Sequence, residues 1–106
     1  MMDRQNLNQM VETIVVRFHP EKIILFGSYA RGEQTRDSDV DLMVVLREEG
    51  SKRRKAAEID LALADRAAPL DLVVVTPEEV EKYRGSMGTV IHSALTEGKA
   101  LYVRVG

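Results

Sequence analysis

Hydrophobic positions along the chain follow two periods, and the change from one to the other marks its elements. Between residues 3 and 18, Leu7, Met10, Val11, Ile14, Val15 and Phe18 recur at i, i+3, i+4 and i+7, which predicts a helix with one apolar stripe. His19-Pro20 ends it, because the residue before a proline is pushed out of the helical region. Short continuous apolar runs then predict strands over 22–26, 39–46, 70–75 and 100–104. A charged loop, 47–55, leads into a second helix reaching about residue 67, with Ala56, Ile59, Leu63 and Ala67 as its buried stripe and Pro69 as its stop. Thr76-Pro77-Glu78-Glu79 reads as a helix start, with Thr at the N-cap, Pro at the first turn and Glu three residues on. That helix fades near Tyr83-Arg84-Gly85. A last helix over 86–97 places Met87, Val90, Ile91, Ala94 and Leu95 on one stripe, closed by Gly98. The order predicts an α/β (α+β) chain: a small mixed sheet of about four strands, with helices mainly on one face.

Polar residues interrupt this pattern at three informative places. The run Ile23–Phe26 stops at Gly27-Ser28, where glycine lets the backbone turn and approach a ligand closely, and Ser28 is a candidate N-cap for a short helix. Such a turn is a place where backbone N–H groups can receive a phosphate. The next strand opens Asp39-Val40-Asp41, although aspartate is disfavoured in strands. Residues two apart share a face, so the two carboxylates project side by side and repel unless something neutralises them. A divalent cation does so, and oxygen ligands suit magnesium. Asp71, alone in the apolar run Leu70–Val75, is costly to bury without a partner and can join the pair if its strand lies alongside. Asp37, beside the pair, is expected to be exposed. Arg31 either touches phosphate or pairs with Glu33 or Asp37.

Gly27-Ser28, ten residues, then Asp39-x-Asp41 resembles the signature of the DNA polymerase beta-like nucleotidyltransferases, and the short chain resembles their minimal members, often antitoxins of HEPN-domain toxins. Ala30-Arg31-Gly32, Ser38, Leu70-Asp71-Leu72 and the ending Glu97-Gly98-Lys99-Ala100-Leu101-Tyr102 are similar as well. The resemblance implies Asp39, Asp41 and Asp71 as catalytic metal ligands, and Gly27, Ser28 and Arg31 as nucleotide-binding residues. It implies two magnesium ions clamping an in-line displacement, ATP as donor, and a tyrosine hydroxyl of a cognate HEPN toxin as acceptor of AMP.

Bulk properties narrow the alternatives. A chain of 106 residues, 44% hydrophobic and 30% charged, is expected to form one domain over 1–106. A net charge of −2 and 5% aromatic residues argue against a nucleic-acid partner. The absence of cysteine excludes disulfides and thiolate metal sites, and fits a reducing cytoplasm. No apolar run reaches the roughly 20 residues of a membrane span, and Met1–Asn6 lacks a signal-peptide core, so a cytoplasmic protein is expected. His19 reads as a helix-end residue, His92 as a packing residue, and Lys52-Arg53-Arg54-Lys55 as a solvated helix start. Two other functions fit the same residues: a non-catalytic antitoxin that neutralises its partner by covering it, and a nucleotidyltransferase acting on a small molecule or nucleic acid. An exposed edge strand could pair two copies or a partner.

Overall fold

The computed structural model describes residues 3–105. The chain runs α1 (Arg4–Phe18), β1 (Lys22–Phe26), α2 (Gly27–Arg31), β2 (Val40–Val45), α3 (Lys52–Ala62), β3 (Leu70–Val75), α4 (Pro77–Tyr83), α5 (Val90–Glu97) and β4 (Lys99–Val103). The four strands form one sheet in the order β3-β2-β1-β4. β1 lies antiparallel to both β2 and β4, whereas β2 and β3 are parallel. A parallel pair needs a crossover connection, and α3 supplies it. The four-stranded mixed sheet expected from the hydrophobic pattern is therefore present, but helices cover both of its faces and not mainly one, because the strands are apolar on both sides.

Alternation along the strands divides the apolar side chains between two layers. Ile23 and Leu25 of β1, Val40, Leu42 and Val44 of β2, and Val74 of β3 join Met10 and Ile14 of α1 and Ile59 of α3 in the larger cluster. The intervening residues, Ile24, Met43, Val45 and Val75, meet Val80 of α4 and Ile91 and Ala94 of α5 in the smaller one. The side chains of Ile14, Ile23, Leu42, Met43 and Ile59 are fully buried. Burying each contributes roughly 1.5–3 kcal/mol relative to exposure.

Caps explain where the helices begin and end. Asp3 accepts the Asn6 N–H and starts α1, while His19, left-handed at φ 51°, ends it as an exposed cap residue. Thr76 and Glu79 form the reciprocal capping box expected for α4, and Glu79 also pairs with Lys52. Two boundaries differ from the sequence expectation. α3 stops at Ala62 rather than 67, because Arg66 donates to the Asp60 and Leu63 carbonyls and pairs with the Asp60 carboxylate. Ala67 is thus exposed and Ala68 is buried in its place. α5 begins at Val90 rather than 86, because Gly88 sits at φ 90° and the Thr89 hydroxyl accepts the His92 N–H as the N-cap. Met87 consequently lies outside the stripe and is 85% exposed. His92 is half-buried on α5. Within the basic cluster, Lys52 and Lys55 are taken up by Glu79, Glu48 and Glu58, and Arg53 and Arg54 are exposed.

Candidate active site

Strand register brings the aspartates together. Asp41 pairs across the sheet with Phe26 on one side and with Asp71 on the other. By strand alternation Asp41 and Asp71 lie on the side of the sheet that also carries Met43, Val45 and Val75, at the end where β1 turns into α2, and the charge of Asp39 acts on Asp41. Asp39 falls one residue before the ordered strand, which starts at Val40 rather than 39. Asp39 and Asp71 are exposed and Asp41 is half-buried; Asp37 is exposed, as its place in the loop implied.

Gly27 fits this arrangement for two separate reasons. Its φ is +72°, a left-handed conformation that side chains disfavour, and a Cβ there would fall 2.0 Å from Asp41 Oδ2. The backbone of the β1–α2 turn therefore lies directly against the Asp41 carboxylate. Ser28 does not cap α2, as its sequence position suggested. The helix begins one residue earlier, and its cap is Phe26, which makes no side-chain cap hydrogen bond. Ser28 stands in the first turn, and its carbonyl accepts the N–H of Gly32 and of Glu33 at the other end of the helix.

The electrostatics centre on Asp41. Burial raises its pKa to about 6, and the neighbouring charge of Asp71, a hydrogen bond with Asp71 and the charge of Asp39 all push the same way. The charge of Arg31 pulls in the opposite direction. Arg31 is ion-paired with Glu33 at 2.7 Å and with Glu97 at 3.7 Å, so the Glu33 pairing weighed from sequence is present and the Asp37 one is not. The Glu33 hydrogen bond is the main cause of its raised pKa. Glu97 is the neighbour that sequence reasoning missed; its place in the ending Glu97-Gly98 was the available signal.

The donors present suit a hard divalent cation: they are carboxylate oxygens, and Asp41 is short of counter-charge. Among the described residues, no three His, Cys, Asp or Glu side chains are drawn close enough to cage an ion as they stand. Asp41 and Asp71 interact directly, and Asp39 reaches Asp41 through space. A groove of about 540 Å³ opens elsewhere, between α1 and the turn after α3, and none of the aspartates lines it.

The nucleotidyltransferase domain family matches residues 7–101. The chain belongs to this family. Among solved structures, a toxin–antitoxin complex with AMP-PNP includes a chain like this nucleotidyltransferase domain, 26% identical with a TM-score of 0.59, the match covering 92% of this chain and 73% of that one. A structure described as a tri-AMPylated Shewanella oneidensis HEPN toxin in complex with MNT antitoxin is 21% identical, with a TM-score of 0.58 and coverage of 97% and 74%. A protein named as a nucleotidyltransferase from Sulfolobus solfataricus is 18% identical, with a TM-score of 0.66 and coverage of 94% and 79%. The last two likenesses concern the fold.

Curated relatives of this nucleotidyltransferase domain include two proteins of Methanocaldococcus jannaschii that carry the name protein adenylyltransferase. One is 61% identical over 28 residues, 26% of this chain and 28% of that protein. The other is 40% identical over 42 residues, 40% and 42% of the two chains. The matched segments span less than half of each relative. Among the described residues of the nucleotidyltransferase chain, no helix is long and apolar enough to cross a membrane.

Proposed function

We propose that this nucleotidyltransferase transfers AMP from ATP to a hydroxyl group, with a tyrosine of a cognate HEPN-type toxin as acceptor, and serves as the antitoxin of that pair. One observation carries the reading: Asp41 and Asp71 lie in register on adjacent strands, with Asp39 beside them and the Gly27 backbone against the Asp41 carboxylate. The names of the M. jannaschii relatives and the toxin complexes among the fold neighbours support the acceptor class.

Each residue has a role in this reading. Gly27 lets the phosphate chain come close to the backbone, and the Ser28 hydroxyl and the leading N–H groups of α2 receive its terminal phosphates. Arg31 adds positive charge at the same turn. Asp39, Asp41 and Asp71 would hold magnesium, which when bound neutralises the departing pyrophosphate and aligns the reacting groups. Asp71, exposed on edge strand β3, accepts the proton of the acceptor hydroxyl. The hydroxyl oxygen bonds to the α phosphorus, the bond from that phosphorus to the bridging oxygen breaks, and pyrophosphate leaves. The acceptor brings its own binding surface, which favours a protein over a small molecule.

Incorporation of label from α-labelled ATP with magnesium tests the proposal, with and without the protein encoded by the adjacent reading frame. Label on that partner, abolished by Asp39→Ala/Asp41→Ala at unchanged fold, is the expected result. No label from any of the four nucleotides, while the double variant still silences the partner, refutes catalysis and leaves neutralisation by binding alone.

A further inference from the structure

The last turn of α5 is seated on β1 more closely than a side chain allows. A Cβ on Gly98 would fall 2.2 Å from the Ala94 carbonyl oxygen, 2.6 Å from Ile24 Cγ2 and 2.8 Å from the Leu25 carbonyl oxygen. Gly98 has an ordinary φ of −82°, so its lack of a side chain serves close approach and not a left-handed turn. β4 then follows with Lys99 opposite Leu25, next to the Phe26–Asp41 pair. The residue before this contact point, Glu97, is thereby held at the candidate site by the frame of the sheet.

From that position Glu97 Oε2 lies 3.7 Å from Arg31 Nη1, while Glu33 Oε1 lies 2.7 Å from Arg31 Nε. A guanidinium is a planar fork with five N–H donors in fixed directions. Two of its nitrogens face carboxylates here, and Nη2 has no partner among the described residues. The two carboxylates are not equivalent. Glu33 is two residues from Arg31 on the same segment and moves with it. Glu97 comes from a different element and ties the guanidinium to the sheet. Asp41 is close enough for its charge to act on Arg31.

We propose that Glu97 is a positioning residue for nucleotide binding: it sets the direction of the Arg31 guanidinium so that its remaining N–H edge meets the phosphates at the Gly27-Ser28 turn. This rests on the assignment of Arg31 to the nucleotide made above. Arg31 and Glu97 are 44% and 56% exposed, and exposed ion pairs are weak. The expected effect of losing Glu97 is therefore small, about three- to fivefold in affinity.

The test is titration calorimetry of ATP in excess magnesium against the full chain and four variants: Arg31→Ala, Glu97→Gln, the double Arg31→Ala/Glu97→Gln, and Glu97→Asp. Arg31→Ala is expected to weaken binding by more than Glu97→Gln. Glu97→Gln is expected to raise the Kd about three- to fivefold at unchanged Tm, and Glu97→Asp to lie between it and the unaltered chain. In the Arg31→Ala background, Glu97→Gln is expected to add nothing, because it acts through the guanidinium. A full, additive effect in that background overturns the positioning role, as does an unchanged Kd in Glu97→Gln when Arg31→Ala weakens binding. Unchanged binding in Arg31→Ala removes Arg31 from the nucleotide site, and the Glu97 proposal with it.

Discussion

Gly27→Ala separates two costs that the structure places at one residue. The substitution forces alanine to φ +72° and drives its Cβ to 2.0 Å from Asp41 Oδ2, 2.9 Å from Cγ and 3.3 Å from Cβ. The backbone cost is about 1–2 kcal/mol. The clash cannot be relieved without moving the Asp41 carboxylate, and a displacement of about 1 Å at a catalytic group can cost on the order of 100-fold in rate. Gly32 supplies the control. It has the same φ of +72°, but a Cβ there meets nothing within 4 Å. Urea denaturation followed by circular dichroism is expected to show Gly27→Ala destabilised at least as much as Gly32→Ala, which bears the backbone cost alone. With a slope of roughly 1–3 kcal/mol per molar urea, the backbone cost alone lowers the Gly32→Ala midpoint by about 0.3–2 M. Both variants remain folded, since a domain of this kind has about 5–15 kcal/mol to lose. Transfer of label from ATP is expected to fall about 100-fold in Gly27→Ala and to stay near the original level in Gly32→Ala. Equal activity in the two alanine variants would show that the close contact with Asp41 has no part in the reaction.

Two further outcomes follow from the same geometry. The raised pKa of Asp41, about 6 instead of 3.8, means that the folded, metal-free protein binds a proton that the unfolded chain has released across this window. Stability is therefore fully present below the unfolded value and declines as pH rises through about 6. Melts in EDTA are expected to show Asp41→Asn with a higher Tm than the unaltered chain at pH 7 and a gap that closes towards pH 4, whereas magnesium affinity of the unaltered chain rises across the same interval. A gap that widens on acidification contradicts this. Gly98→Ala meets backbone oxygens and Ile24 at an unstrained φ, so its whole cost is overpacking, about 1–3 kcal/mol. Thermal denaturation is expected to show a Tm lowered by several degrees, and an unchanged Tm would mean that α5 is not seated on β1 as described.

Local patterning carried much of the architecture. The stripe Leu7–Phe18, the four apolar runs and the Thr76-Pro77 start all became the elements they predicted, because each is decided by residues within a few positions. The carboxylates were legible for a related reason: aspartate breaks a strand pattern, and alternation places Asp39 and Asp41 on one side. Long-range relations were harder to read. α3 ends early because a guanidinium six residues beyond Asp60 takes up its carbonyls. α5 starts late because Thr89 caps it after the left-handed Gly88. Gly98 has the position of a helix-ending glycine, yet its role depends on Ile24 and Leu25, more than 70 positions earlier. The Arg31–Glu97 ion pair spans a similar separation, and neither residue alone announces it.

The parallel pairing of β2 with β3 makes the candidate site digital. Asp71 faces Asp41 in one register only, and that register is established after the chain has travelled through α3 and returned. A slip of one residue turns Asp71 towards the layer of α1 and α3 and brings an aliphatic side chain to Asp41's flank. A slip of two restores the face but moves the carboxylate along the strand by roughly 6–7 Å. Length changes between residues 46 and 69 are therefore harmless only where the connectors absorb them before β3 begins. Misregistered chains would retain most of their secondary structure while having no carboxylate pair at all.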